Sequence, residues 1–302
     1  MITTEPEADP FDAHRRLLFA TAYRMLGTVG DAEDIVQDTW LAWSKADRSE
    51  VRHPKAYLVR TVTNLSLNRL TSARATREEY VGPWLPEPLL TVPDVARERE
   101  RAEDVSMAML VVMESLTPVE RAVFVLREAF GYSHAEIAGF LDRPEPTVRQ
   151  IAHRARKHVA DRRTVHDADA TRREEVTARF LSACAGGDLN AVMELLAPDV
   201  TAWSDGGGRV SAARRPLFGA DHVGRFLIGV TAKAARAAAD VLPLPAPAVI
   251  NGELGILVLA GDTPVGAITY VLEDGLMRNL RFQINPDKLS GLRRRDDRDT
   301  DR

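Results

Sequence analysis

Arg149, Gln150, His153, Arg154, Arg156 and Lys157 crowd one stretch, Glu145-Pro-Thr-Val-Arg-Gln-Ile-Ala-His-Arg-Ala-Arg-Lys-His158. Arginine and glutamine are suited to bidentate contacts with guanine and adenine edges, and arginine and lysine also serve phosphates. Val148, Ile151, Ala152 and Ala155 form an apolar stripe at helical spacing, which turns the cationic side chains to the opposite face. Arg149, Gln150 and His153 are placed to read bases, whereas Arg143, Arg154, Arg156 and Lys157 suit phosphates. His153 reads equally well as a neutral surface histidine. A basic face is often only a solvated face, so the neighbouring elements must decide.

They decide for nucleic acid. Thr117-Pro-Val-Glu120 and Ser133-His-Ala-Glu136 each place a hydroxyl three residues before a glutamate. In such a capping box the hydroxyl accepts from an otherwise orphan N–H, and the glutamate reaches back to the cap's own N–H. Pro118 falls at a first helical position and Gly131 where that helix should stop. A helix of about two turns over His134–Leu141 follows, then the break Asp142-Arg143-Pro144, then the basic helix. Short helix, tight turn and basic helix is the sequence form of a DNA-binding helix-turn-helix.

The other candidate chemistry lies far downstream. His222, Asp205, Asp240 and Asp262 are the groups an acid/base enzyme would use, but their spacing is not diagnostic. His222 follows Gly219-Ala-Asp221 at a helix start, where capping is the simpler duty. Gly206–Gly208 lacks a following Lys-Ser/Thr and reads as a flexible turn. An enzyme tethered to a transcription module is the alternative reading; catalytic, metal and cofactor sites are expected to be absent.

The 302 residues, 45% hydrophobic and 28% charged, suffice for two or three globular domains. No apolar run could span a membrane, and the first residues lack the pattern of a secretory signal, so the chain is expected in the cytoplasm. The single cysteine, Cys184, excludes an internal disulfide and shares an apolar helical face with Phe180 and Leu181, which predicts a buried thiol. Net charge is −4, against a simple nucleic-acid binder, yet its distribution is uneven. Residues 143–163 are basic; Asp31–Asp38 and the Glu87–Asp104 stretch are acidic. Separate surfaces of opposite sign predict both a DNA and a protein partner.

The N-terminal part reads as three helices. One covers 11–27, with Phe11, Leu18, Ala22 and Met25 inward. A second runs from about Ala32 to Lys45, capped by Asp31, with Ile35, Val36, Trp40 and Trp43 as its apolar residues. A third runs from Pro54 to about Arg74, with Leu58, Val62, Leu65 and Leu70 inward. Residues 79–105 form a linker, since Pro83, Pro86, Pro88 and Pro93 exclude continuous helix, and Trp84-Leu85 looks like an anchor within it. After His166 the pattern becomes α+β. Helices are expected at 172–185, 188–196 and 220–235, and strands near 199–204, 209–215, 240–250, 253–261, 264–273 and 276–284. Hairpins are signalled by Asn251-Gly252 and Asp274-Gly275. Residues from Leu292 onward should be disordered.

Three stretches, in order, resemble the extracytoplasmic-function sigma factors of bacterial RNA polymerase. Gly30-Asp-Ala-Glu-Asp-Ile-Val-Gln-Asp-Thr-Trp40 is similar to the core-binding helix, Pro54–Arg69 to the −10 recognition segment, and Leu116–Arg127 with Glu136–Arg156 to the −35 reader. The resemblance implies a region-two domain over 1–78, the linker 79–105, and a region-four domain over 106–165. It also implies binding to polymerase core, namely the β′ clamp helices and the β subunit, and to promoter DNA. Core contacts would fall to Asp31, Glu33, Asp34, Gln37 and Asp38, with Glu33, Gln37 and Asp38 favoured because Asp31 and Asp34 serve the helix start. The −10 element would be read by Lys55, Arg60, Asn64, Asn68 and Arg69. The −35 element would fall to Arg143, Thr147, Arg149, Gln150, His153, Arg154, Arg156 and Lys157. Pro146 departs from the small residue usual in the family at the recognition-helix start, a position where proline is tolerated.

The remainder is similar to one subgroup, in which a SnoaL-like domain is fused behind the sigma core. Trp84-Leu-Pro-Glu-Pro88, Asp205-Gly-Gly-Gly208 and Asn285-Pro-Asp-Lys-Leu289 match its signatures. The implied architecture is multidomain: two all-α helical domains, then an α+β cone with a curved antiparallel sheet over 170–286, then a charged tail over 287–302. The implied role of the fused domain is regulation in cis, through Trp84, Leu85, Pro86, Asn285, Pro286, Asp287, Lys288 and Leu289, with room for an unidentified small ligand.

Overall fold

Both capping boxes close as their spacing predicts. Thr117 and Ser133 accept from the amides of Glu120 and Glu136, and each glutamate returns a bond to its cap. The structure is a computed structural model that describes residues 9–91, 105–161, 170–237 and 242–293, with residues 73–78 and Ala237 described by backbone alone. The chain divides into two compact units, Met1–Glu78 with Val112–Arg162, and Glu79–Val111 with Arg163–Arg302.

The first unit is helical. It holds α1 (Pro10–Leu26), α2 (Val29–Lys45) and α3 (Pro54–Glu78). Gly27 ends α1 in the left-handed conformation (φ 77°), which glycine adopts without steric penalty. α2 starts three residues earlier than the sequence suggests. Its N-cap is Thr28, and Asp31 sits in the first turn, accepting from the Thr28 hydroxyl at 2.6 Å. Ile35, Val36 and Trp43 face inward, but Trp40 is 47% exposed, a correction to its expected place in the core.

The short α4 (Met107–Met113) spans the boundary between the units and leads to α5 (Pro118–Phe124), α6 (His134–Leu141) and α7 (Glu145–Ala160). The end of α5 widens into a π-turn over Val125–Ala129 before Gly131 (φ 70°). The sequence gives no sign of that turn. Asp142 (φ 50°) makes the corner between α6 and α7, a left-handed position that aspartate tolerates. Val123, Leu126, Ile137, Phe140, Val148 and Ile151 form one core, to which α3 contributes Val59.

The second unit is α+β. α8 (Ala170–Gly186), α9 (Leu189–Leu195) and α10 (Ala220–Ala237) accompany a six-stranded sheet. Its strands are β1 (Thr201–Asp205), β2 (Leu217–Phe218), β3 (Leu244–Ile250), β4 (Glu253–Ala260), β5 (Thr263–Glu273) and β6 (Leu276–Gln283), in the order β2-β1-β6-β5-β4-β3. β1 runs parallel to β6 and the other pairings are antiparallel. Asn251-Gly252 and Asp274-Gly275 take positive φ throughout, as two-residue hairpin loops require. Phe180, Val192, Val223, Tyr270, Leu280 and Phe282 fill the space between helices and sheet.

Three expectations fail here. Residues 209–215 form a loop rather than a strand, because Gly206–Gly208 turns the chain back and Arg209 and Val210 bond to the Gly206 carbonyl. The tail does not begin at 287: Pro286–Lys288 and Ser290–Leu292 are 3-10 turns, with Leu289 and Leu292 buried against Ile250, Leu257 and Ala267. Nor do residues 80–91 run free as part of a linker: the anchoring expected at Trp84-Leu85 extends to Leu90, which bridges Ile250, and to Thr91, which donates to the Val249 carbonyl at 2.9 Å. The charged run 97–104, Asp240 and residues 294–302 lie outside the described residues.

Candidate functional site

α7 carries its cations as the periodicity predicts. Arg149, Gln150, His153, Arg154, Arg156 and Lys157 are exposed, as is Arg143 before the helix, while Thr147 is half-buried in the first turn. Val148, Ile151, Ala152, Ala155 and Val159 are buried beneath them. Arg149 is held by Glu145 one turn back (2.5 Å) and Arg156 by Glu128 (2.7 Å), whereas Arg154 lies 3.9 Å from Glu120. These exposed pairs are weak, so a phosphate or base edge can displace them. Pro144 is the N-cap and Pro146 the second helical residue, so the departure from the family pattern leaves the helix start intact.

The α3 candidates are more deeply committed than the sequence suggests. Arg60 and Asn68 are exposed. Asn64 donates its amide to the Phe140 carbonyl at 3.3 Å, and the Lys55 ammonium lies 5.9 Å from the Tyr132 ring centre. Val59, between the two on α3, is 1% exposed. Asn64 is thus engaged by the α5–α7 module, whereas Lys55, Arg60 and Asn68 stay exposed. Arg69 is tied to Asp34 (3.2 Å) and Asp31 (3.5 Å), which joins one expected DNA contact to two expected polymerase contacts. Those bonds leave Glu33, Gln37 and Asp38 on the exposed face of α2, together with Trp40 and Leu41.

The third constellation centres on Asp205, fully buried at the end of β1. Its carboxylate accepts from the Tyr80 hydroxyl (2.6 Å), the Leu85 amide (2.8 Å), the Gly207 amide (3.2 Å) and the Lys288 ammonium (2.8 Å). Lys288 also donates to the Leu85 carbonyl at 2.7 Å and lies over the rings of Trp84 (4.1 Å) and Tyr80 (4.7 Å). Asn285 donates to the Tyr80 oxygen at 2.8 Å and caps the 3-10 turn through the Asp287 amide. Burial, and then the adjacent Asp205 carboxylate, push the Tyr80 phenol far above its ordinary pKa, so it stays a donor. Gly207 is obligatory, because a Cβ there would lie 2.3 Å from the Asn285 amide nitrogen.

All three signature segments thus converge within one unit. Leu85, Pro86 and Leu289 are buried, and Pro286 opens the 3-10 turn. Asp287 differs, being exposed and paired with Arg209 at 2.9 Å. Tyr80 was not singled out by the sequence, Glu87 entered only as part of the Trp84–Pro88 signature and the acidic stretch, and Asn251 only as a hairpin residue. Glu87 accepts from the Ser290 hydroxyl at 2.6 Å, and Asn251 takes the Leu89 amide at 3.1 Å. A glutamate between two prolines and an aromatic beside the Trp84 signature were the only traces of these roles.

The described acid/base candidates are each engaged or exposed separately. Asp205 is occupied by four donors, the His222 ring bonds the Phe218 carbonyl at 3.2 Å, and Asp262 is exposed in the β4–β5 turn. Burial pushes the Cys184 thiol up to about 11, which leaves it protonated and unreactive. Among the described residues no His, Cys, Asp and Glu cluster could hold a metal, and no helix is long and apolar enough to cross a membrane.

Comparison with known proteins follows the same division. Residues 11–76 match the sigma-70 region 2 family, and residues 106–159 match sigma-70, region 4. Over 298 residues the chain is 38% identical to the ECF RNA polymerase sigma factor SigJ of Mycobacterium tuberculosis (strain ATCC 25618 / H37Rv), covering 94% of each chain. It is 29% identical to the probable ECF RNA polymerase sigma factor SigI of M. tuberculosis (strain CDC 1551 / Oshkosh), covering 96% of this chain and 97% of that one. The crystal structure of M. tuberculosis SigJ superposes with a TM-score of 0.74 at 36% identity, covering 94% of this chain and 99% of that one.

Proposed function

This chain belongs to the extracytoplasmic-function sigma factors of bacterial RNA polymerase, and on that footing we infer that its third domain governs initiation by holding the segment between the two sigma regions. As a sigma factor the protein binds core polymerase and directs promoter-specific initiation. Within that activity, the exposed face of α2 (Glu33, Gln37, Asp38 and Trp40) is the polymerase contact. Arg149, Gln150 and His153 read the −35 element, while Arg143, Arg154, Arg156 and Lys157 hold its phosphates. Arg60 and Asn68 are accessible for the −10 element. Lys55 is exposed as well, and Asn64 becomes available once its bond to the Phe140 carbonyl is released.

The carrying observation is the buried Asp205, which binds Tyr80, Leu85 and Lys288 at once. Residues 80–91 follow directly on α3, so seating them on the third domain shortens the tether between region two and region four. A shorter tether changes the effective concentration of one sigma region near the other without any new contact between them. Polymerase and the closed form of the sigma core then compete for the same surfaces. We read the third domain as non-catalytic, since its most buried carboxylate is spent on this junction.

The test is transcription from one cognate promoter by core polymerase with the full-length protein or its Lys288→Met variant. A changed yield at equal core-polymerase affinity supports control through the junction. Equal transcription by both proteins across a temperature series removes the regulatory role.

A further inference from the structure

The start of α7 is poorly built to clasp a phosphate. A helix N-terminus does so with its free amides and the positive end of its dipole. Here Pro144 is the N-cap and Pro146 the second helical residue, and neither carries an N–H. The Thr147 amide donates to the Pro144 carbonyl at 3.0 Å. The first turn also holds a carboxylate, Glu145, in a stretch that otherwise exposes Arg143, Arg149, Arg154 and Lys157. A negative charge among phosphates weakens binding to every sequence alike, so the use of Glu145 lies in selectivity rather than affinity. Its contacts show how. One oxygen, Oε1, accepts from both Nε (3.1 Å) and Nη2 (2.5 Å) of Arg149, one turn on. That occupies the side edge of the guanidinium fork. The outer edge, one N–H each of Nη1 and Nη2, bonds nothing among the described residues. Those two N–H groups match the O6 and N7 acceptors of guanine.

Resting on the assignment of Arg149 to the −35 bases, we propose that Glu145 is the positioning residue of this reader. Its carboxylate braces Arg149 so that the outer edge meets a guanine, and it keeps the guanidinium from the phosphates. An exposed arginine without such a brace is flexible and serves phosphates as well as bases. The guanine does not have to displace Glu145, because the two partners take different edges of one guanidinium. The contact is weak where water surrounds it and strengthens in a groove from which water is expelled. As a pair one turn apart, Glu145 and Arg149 add only a little to helix stability. As a brace, Glu145 raises discrimination among bases and lowers affinity for DNA of arbitrary sequence, two effects of opposite sign.

The experiment uses core polymerase loaded with the full chain, and one cognate promoter whose −35 element is randomised. The wild-type protein should select guanine at one position, and Arg149→Ala should lose that selection. Glu145→Ala should reduce it about tenfold. The same variant should bind duplexes without the element more tightly, with a salt dependence steeper by about one unit, because Arg149 gains a phosphate. Its melting temperature should stay near that of the wild type. Glu145→Gln keeps the shape and loses the charge, and should fall between the two. In the Arg149→Ala background, Glu145→Ala should leave the remaining selection unchanged within about twofold. Guanine selection by Glu145→Ala within about twofold of wild type overturns the proposal. A further loss in the Arg149→Ala background also overturns it, by making Glu145 a base reader in its own right. Weaker binding of Glu145→Ala to all duplexes alike overturns it in favour of a helix-stabilising pair alone. Arg149→Ala that weakens every sequence equally sinks the −35 base assignment itself, whereas guanine reading by Arg149 that survives Glu145→Ala sinks only the brace.

Discussion

Replacing Lys288 by methionine keeps most of the side-chain volume and removes the ammonium, with its bonds to Asp205 and the Leu85 carbonyl and its place over the Trp84 and Tyr80 rings. Both side chains of the pair are secluded, 9% and 0% exposed, so solvent cannot take over the lost contact. Removing one partner of a buried pair costs about 3–5 kcal/mol. Tyr80, Leu85 and Gly207 still donate to Asp205, which places the expected loss near the lower end, about 3 kcal/mol. If that energy holds residues 80–91 in place, opening of the segment becomes about a hundredfold more frequent. Native-state hydrogen exchange at the Leu85 amide reads this directly, because that N–H is released only when the segment lifts from Asp205. The double variant Asp205→Asn with Lys288→Met should recover part of the loss, since a neutral amide needs no counter-ion. Asp287→Asn, three-fifths exposed in its pair with Arg209, should cost at most about 1 kcal/mol. The two neighbouring signature residues are thus expected to behave differently. Leu85 exchange that stays within threefold of wild type in Lys288→Met would refute the assignment of Lys288 as the counter-ion that seats the segment.

Arg149→Ala should relax discrimination at one position of the −35 element by about 1–3 kcal/mol, measured by competition among promoter variants; a uniform loss across them would make Arg149 a phosphate contact. Asp38→Lys combined with Trp40→Ala should weaken core-polymerase binding and leave the melting temperature unchanged, because both side chains lie on the exposed face of α2; equal affinity in a pull-down titration would remove this face from the interface. Bonds from the Ser133 hydroxyl and amide hold the Glu136 carboxyl below its ordinary range, so its stabilising contribution is present above the unfolded value of about 4.3 and is lost as pH falls through the lower folded value. Thermal melts should accordingly show the wild-type advantage over Glu136→Gln shrinking below about pH 4, and an advantage independent of pH would contradict the capping role.

What was legible in the sequence was whatever is encoded locally. A capping box needs residues three apart, a hairpin loop needs two with positive φ, and a recognition helix needs one apolar stripe. Thr117, Ser133, Asn251-Gly252, Asp274-Gly275 and the α7 stripe were therefore readable, and each takes the geometry its spacing implies. The loop at 209–215 was misread because alternation alone cannot show that Gly206 to Gly208 reverses the chain first. Trp40 was misplaced because a tryptophan at helical spacing looks like core, while its 47% exposure beside Gln37 and Asp38 depends on which face α1 and α3 cover.

The Asp205 junction illustrates the harder case. Its members come from three stretches, 80–85, 205–207 and 285–288, and each stretch has a self-sufficient local reading. The prolines read as a linker with an anchor at Trp84-Leu85, the glycines as a flexible turn, and the residues from 287 as a charged tail. Only their meeting shows that the turn is glycine so that Asn285 can approach, and that Lys288 is buried because Asp205, Tyr80 and Trp84 receive it. The same logic governs α3. Asn64 and Lys55 look unassigned in sequence because their partners, the Phe140 carbonyl and the Tyr132 ring, lie far along the chain. A side chain that appears idle in the sequence is thus a poor guide to one that is free in the fold. Residues shared between a resting contact and a binding surface are where a sigma factor can be restrained without losing its capacity to read DNA.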